Sequence, residues 1–292
     1  MRHQCSISVG PARFRIGSAW RAPIEQLRRL YADYPGGACG NDGAADFTVR
    51  LEPVSPLRRL FRPSVAIAGD YMLPEAAPLA LRHALLAAEM GMNLQMALGW
   101  RRHLLLHASA VERDGRAVLM TGQSGSGKST LSALLGEGGW RFLGDEFVLL
   151  DPATGMVHPF PRMISLKNEA IGAMEAIVGD PSRFGPLLAD TPKGAIRHLR
   201  PAADAIARQG ETVRPALLLF PRFGHDRAIR PVGRDEAFVR LTQASTNYVT
   251  LGERSFAGLT ALIGAVPSLA IDYRSGTEAQ QLVEQLFAEQ AA

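Results

Sequence analysis

Gly122 to Ser129 reads Gly-Gln-Ser-Gly-Ser-Gly-Lys-Ser and satisfies G-x-x-x-x-G-K-[ST] at every fixed position. Such a run can cradle a polyphosphate. Gly122, Gly125 and Gly127 let the backbone curl until its N–H groups point inward, and the start of a following helix adds a positive dipole. Ser124 and Ser126 lie within the curl. Lys128 would neutralise the β and γ oxygens, Ser129 would set its hydroxyl on a Mg²⁺ ion bridging them, and Thr130 would support the start of the helix. A glycine-rich turn with a surface lysine is the bland alternative. The pattern implies a nucleotide, with ATP the expected one and the base preference against GTP left open, but no particular reaction, because motors, switches and kinases share it.

A second acidic site must discriminate among these. Asp145-Glu146 follows Lys128 by only seventeen residues, at the first return of the chain. That spacing puts a carboxylate beside the loop in the adjacent strand, within reach of both a metal and an incoming hydroxyl. In a regular strand the two side chains face opposite sides, so both can serve one site only where the backbone bulges or the strand is just beginning. Gly144 permits that; otherwise Asp145 points inward and Glu146 lies at the surface.

The elements that must position these groups follow from periodicity and punctuation. His103–Val111 and Arg116–Thr121 read as strands joined by a hairpin at Asp114-Gly115, and the second runs into the glycine loop. A helix from Lys128 closes at Gly138-Gly139, Trp140–Leu150 returns as a strand, and Met156–Phe160 follows a turn to complete a β-meander. Strands at Ala216–Phe220 and Ala228–Pro231 and helices near Asp235–Thr242, Ser255–Gly264 and Thr277–Gln290 complete the C-terminal part. The first hundred residues read as α+β. A short alternating stretch lies at Phe14–Ile16, a helix at Ile24–Tyr34, a loop at Pro35-Gly36-Gly37, and strands at Asp46–Leu51 and Ser64–Ala68. Apolar residues recur at helical spacing from Pro74 to Trp100, with Pro78 in the first turn.

Several of these residues also resemble a known family. Lys128 with Asp145, and His107 fifteen residues before Gly122, are similar in layout to the catalytic domain of HPr kinase/phosphorylase. His107–Val111, the loop, Trp140–Glu146 and Pro159–Asn168 resemble more closely the HPr-kinase-related kinases of bacterial peptide and natural-product gene clusters. The resemblance covers about residues 100 to 250. It implies an α/β fold with a mixed, partly antiparallel sheet, like that shared with phosphoenolpyruvate carboxykinase; the residues of 1–100 add an N-terminal α+β subdomain to it. The kinase domain would span 101–292, with one continuous core as the alternative. It also implies that Asp145 is the general base, that Glu146 helps Ser129 and Asp145 hold Mg²⁺, and that His107 orients Asp145 or a phosphate. The family usually carries two aspartates here, so Glu146 is a departure. Nothing in the first hundred residues resembles the family's regulatory domain.

Arg162, Lys167 and Lys193 are cations that could stabilise transferring charge, Arg162 being the catalytic candidate among them, with exposed cations as the alternative. Arg222 and Asn247 are weaker candidates for nucleotide or acceptor contacts. His107, read alone in its apolar run, could equally be a core histidine, and Trp100 and Trp140 read as packing.

The expected activity is a Mg-dependent kinase that moves the γ-phosphoryl group of ATP to a hydroxyl, on a Ser or Thr of a peptide or small protein. A small-molecule kinase acting on a sugar, glycerate or polyol is the nearest alternative. An ATPase switch without an acceptor is the second, disfavoured by the early Asp145. Composition limits the rest. With 32 basic against 28 acidic residues the net charge of +4 is too small and dispersed to point to nucleic acid. Cys5 and Cys39 lie at no metal-ligand spacing, and no secretory signal opens the chain, so a cytoplasmic setting is expected. Ala84–Trp100 contains Glu89 and Asn93 and reads as a buried helix, leaving no membrane partner. A homo-oligomer is implied by the family alone.

Overall fold

The computed structural model describes residues 2–35, 43–72 and 77–290. Gly36-Gly37 of the expected loop, Cys39 and the start of the helical run at Pro74 lie outside the described residues.

β1 (His3–Val9) and β2 (Ala12–Ser18) form an antiparallel hairpin whose alternation turns Cys5, Ile7, Val9, Phe14 and Ile16 into the core. α1 (Arg21–Leu30) carries the chain to β3 (Phe47–Pro53), parallel to β2. β4 (Ser64–Gly69) and β5 (Leu79–Ala80) then complete a five-stranded sheet in chain order. α2 (Ala84–Gly99) lies on β3 and β4 and buries Leu85, Ala88, Met92 and Met96. It starts well beyond Pro78, because Leu79-Ala80 pairs with Ser64-Val65 and the sheet edge overrides the helical spacing.

The run expected as one strand over 103–111 is two, β6 (Leu104–Leu106) and β7 (Ala108–Arg113), broken at His107. β8 (Arg116–Thr121) pairs with β7 through the expected hairpin and ends at the glycine loop, and α3 (Lys128–Glu137) follows. The run expected as one strand over 140–150 also divides, into β9 (Arg141–Gly144) and β10 (Val148–Leu150), broken at Asp145–Phe147. Both breaks transfer the chain between the same two sheets. β7 and β9 pair in one, while β6 and β10 pair in another with β11 (Val157–His158), so 140–160 is no simple meander.

Between 164 and 207, where the sequence suggests no element, the structure has β12 (Ile164–Lys167), α4 (Glu169–Val178), β13 (Leu188–Thr191), β14 (Gly194–Leu199) and α5 (Ala203–Ala207). The three strands form a small antiparallel sheet in order β12-β14-β13. β15 (Arg214–Phe223), β16 (Ala228–Pro231), α6 (Arg234–Ala244), α7 (Tyr248–Leu251), α8 (Glu253–Ala265), β17 (Ser268–Tyr273) and α9 (Gly276–Glu289) complete the chain.

The main sheet has the order β16-β17-β15-β8-β7-β9 and is mixed, as expected: β8, β15 and β17 are mutually parallel, and β7 and β16 run against them. α3 and α9 cover one face, packing Leu131, Leu135, Leu282 and Leu286 on Val118 and Met120. α6 and α8 cover the other through Leu241, Leu259 and Leu262. The N-terminal sheet and α2 share a third core with Leu105, Phe147, Leu149, Phe160 and Met163 from the rest of the chain. No helix among the described residues is long and apolar enough to cross a membrane.

Candidate functional site

β9 runs antiparallel to β7 and therefore in the direction of β8, so the C-terminal ends of β8 and β9 open on one edge of the main sheet. β7 lies between them. Asp145 is thus not in the strand adjacent to the loop, as its spacing suggested, but one strand further out. The start of β7 at Ala108 and the ends of β15 and β17 share this edge, the position where open α/β sheets bind ligands.

The glycine loop takes its shape from two residues in the left-handed region, Gly125 at φ 85° and Gly127 at φ 90°. Gly127 is also the N-cap of α3. A Cβ there would lie 2.5 Å from the Tyr273 hydroxyl, which in turn donates to the Ser126 carbonyl at 3.2 Å. Sequence reasoning missed Tyr273, since a tyrosine ending an apolar strand carries no signal of its own. Lys128 is buried, and its ammonium donates to the carbonyls of Gly122 (2.6 Å) and Gln123 (3.0 Å). Burial lowers its pKa, with a further push from Lys167, while Asp145 and Glu146 act to raise it.

At the end of β9 the chain turns sharply. Glu146 sits at φ 70°, and a Cβ on Gly144 would meet the carbonyls of Phe147 and Phe160 at 3.0 Å. The strand ends instead of continuing, which lets both Asp145 and Glu146 line one pocket. Asp145 is 5% exposed and its Oδ2 has no hydrogen-bond partner. Burial pushes its pKa up to about 7, with Glu146 adding to the rise; Ser129, the Glu146 backbone and Lys128 oppose it.

His107 does not orient Asp145. Its Nδ1 lies 3.6 Å from Glu146 Oε2, both side chains being partly exposed. The break between β6 and β7 turns the imidazole to that side, so a core role is excluded as well. Arg162 lines the pocket but is not an uncommitted cation. Its guanidinium donates to the Glu89 carboxylate, to Asn93 Oδ1 and to the Glu89 carbonyl at 2.9 Å. Burial alone would lower its pKa, yet Glu89 beside it holds it above the ordinary value. Glu89 and Asn93 showed in the sequence only as polar residues in its most apolar stretch. Lys167 and Lys193 both reach the pocket.

The weaker candidates have structural partners. Arg222 clasps Asp272, its Nε and Nη2 donating at 2.9 and 2.5 Å, so this second carboxylate of the sheet edge is occupied. Asn247 is buried and ties Leu105, Trp100 and His103 together. Trp100 and Trp140 are core.

The residues present fit a magnesium nucleotide on local geometry. Gly125 and Gly127 hold the loop in the left-handed turns that a phosphate-binding loop needs, Tyr273 packs against Gly127 where any Cβ would clash, and the unpartnered Oδ2 of Asp145 is an oxygen of the kind Mg²⁺ accepts. Among the described residues no group of three or more His, Cys, Asp or Glu could hold a metal by itself. A magnesium ion here would depend on the phosphates for its remaining ligands, as is usual for that ion.

No protein-family model matches the chain, and no curated protein matches it. Among solved structures it is similar to the HPr(Ser) kinase/phosphatase from Coxiella burnetii, at 14% identity and a TM-score of 0.30, over 64% of this chain and 99% of that one. A likeness of that size carries no argument about function.

Proposed function

We propose that the protein is an ATP-dependent kinase that transfers the γ-phosphoryl group to a hydroxyl, with Asp145 as the general base. The observation that carries this reading is the Asp145 carboxylate, buried at the sheet edge where the glycine loop ends, with one oxygen unpartnered. A carboxylate whose pKa lies near 7 is matched to accepting a proton at physiological pH.

Bound Mg-ATP would supply the phosphoryl group together with a cation that screens it. The chain's own residues do the rest. N–H groups of Gly122–Lys128 and the start of α3 hold the phosphates, and the Lys128 ammonium exchanges the loop carbonyls for phosphate oxygens. Ser129 and Asp145, with Glu146 beside them, hold the cation. Asp145 takes the proton of the acceptor hydroxyl on the carboxylate oxygen that does not hold the cation. His107 acts on Glu146, steadying the outer carboxylate. Arg162 positions the pocket wall through Glu89 and touches no reacting atom in this scheme.

An ATPase switch without an acceptor is the competing reading. The pocket that opens beyond Asp145 weighs against it, since a switch that only positions water has no use for an acceptor-sized recess.

The test is γ-phosphoryl transfer from labelled ATP with Mg²⁺ in wild type and Asp145→Asn. Loss of labelled acceptor by roughly 10²- to 10⁴-fold in the variant is expected of a missing general base. Equal release of free phosphate by both proteins, with no labelled acceptor in either, would leave the switch as the better account.

A further inference from the structure

Beyond Asp145 the sheet edge opens into a cavity of about 180 Å³. One wall is α2, through Leu86, Glu89, Met90 and Asn93. The opposite wall is the small sheet, where β12 and β14 pair Ser165 with His198 and Lys167 with Ile196, so that all four side chains share the face that lines the cavity. The glycine loop contributes no residue to it. The cavity is therefore separate from the phosphate cradle and joined to it at Asp145.

Three of the residues that line it each carry a buried polar atom without a hydrogen-bond partner: Asp145 Oδ2, Arg162 Nε and His198 Nδ1. Buried polar groups are ordinarily satisfied, so these orphans mark a polar stretch of the wall, beside which Asn93, Ser165, Lys167 and Lys193 also line the cavity. Charge gives the ligand's sign. Glu89 and Arg162 neutralise each other, and Asp145 and Glu146 stand at the metal end. Lys167 closes β12 and Lys193 stands in the β13–β14 turn, and both line the cavity. Among the described residues neither forms an ion pair.

Size then separates a small ligand from a large one. A cavity of about 150 Å³ holds a benzene-sized molecule, and drug-sized ligands need roughly 300 Å³ or more. A recess of 180 Å³ accordingly suits a compact molecule.

We propose that this cavity is the acceptor site and that it takes a small alcohol carrying its own anionic group, a carboxylate or a phosphate, held by the two lysines that line it, Lys193 and Lys167. The inference rests on the kinase reading above. The acceptor oxygen forms a bond to the γ-phosphorus as the bond from that phosphorus to the β–γ bridging oxygen breaks. ADP leaves with the electron pair, and the hydroxyl proton passes to Asp145. Asn93, Ser165 and His198 lie along the walls to receive the acceptor's remaining polar groups.

The experiment pairs probes that differ only in charge: glycerate and glycerol phosphate, each against glycerol, followed by other short-chain hydroxy acids against their parent alcohols. Calorimetry on the nucleotide-free protein measures binding, and labelled ATP measures transfer. Anionic members should bind on the order of ten-fold or more tightly than their neutral partners, and Lys193→Gln, at an exposed turn, should remove that preference and raise KM for the anion by a similar factor. Carboxylate and phosphate arms show which anion is preferred. Equal binding of charged and neutral partners, or label found only on a protein or peptide acceptor, overturns the inference. If Mg-ATP still binds and Asp145-dependent transfer to another acceptor persists, the kinase reading survives that failure. If Mg-ATP does not bind, both fall.

Discussion

Asp145 combines properties that folding alone would not favour. Burial raises its pKa from the ordinary carboxylate value of 3.8 to about 7, so the folded, ligand-free protein holds a proton that the unfolded chain has already lost. Between those values the native state binds more protons than the unfolded one, and stability falls as pH rises through the window. Below about pH 4 the cost is absent; above about pH 7 it is complete. Asp145→Asn removes it. In the absence of nucleotide and Mg²⁺ the variant should be more stable than wild type at pH 8, by on the order of a few kcal/mol, and the gap should close towards pH 4. Denaturant melts at the two pH values measure this. A variant that is less stable than wild type at pH 8 would show that the carboxylate is not strained by its surroundings.

At the scale of elements, the site depends on strands that stop. β6 and β7 part at His107 and β9 and β10 at Asp145–Phe147, so the chain leaves one sheet for another at two neighbouring points. That double break brings Asp145 and Glu146 to one pocket despite their being consecutive in the chain. The loop before α3 depends equally on backbone that only glycine adopts cheaply. Gly127→Ala combines a φ of 90° with a Cβ 2.5 Å from the Tyr273 hydroxyl. It should cost about 1–3 kcal/mol and weaken Mg-ATP binding more than Tyr273→Phe, which removes the hydroxyl and keeps the glycine. Nucleotide titration of the two variants, with their melting temperatures, compares these effects. Equal nucleotide affinity in Gly127→Ala and wild type would mean that the loop shape is not what binds.

The whole molecule is tied across its length by a buried polar knot. Arg162 reaches Glu89 and Asn93 on α2, Tyr31 of the segment after α1 donates to Glu89 at 2.9 Å, and Tyr34 donates to the Pro161 carbonyl at 2.5 Å. Burial and the neighbouring Glu89 hold both tyrosines well above their ordinary pKa, so the phenols stay protonated as donors. Because the knot joins the first hundred residues to the pocket wall, its failure should be global. Arg162→Met or Glu89→Leu alone should destabilise the protein by about 3–5 kcal/mol, each leaving a buried charge uncompensated, while the double variant should recover much of that loss. A double-mutant cycle in denaturant reads the coupling. Additive losses would show that the buried pair does not tie the two parts of the chain together. Transfer rates per folded molecule in the same variants separate this positioning role of Arg162 from a direct one.

By itself the sequence determined the phosphate-loop pattern, the strand before it, the helix after it and the mixed α/β class, because these rest on local requirements: glycine at positive φ, alternation in strands, and 3.6-residue periodicity in α2, α3, α8 and α9. It also marked Asp145 and Glu146 by their closeness to Lys128. Only the tertiary structure decided where these groups stand. That β7 intervenes between β8 and β9, that His107 faces Glu146, that Arg162 is spent on Glu89, and that β12–β14 with α2 enclose a cavity all depend on pairings between residues tens of positions apart. Short strands such as β12 and β13 bury too few residues to announce themselves locally. They exist because partners elsewhere in the chain complete their hydrogen bonds and cover their apolar face, and no window of sequence contains both halves of that arrangement.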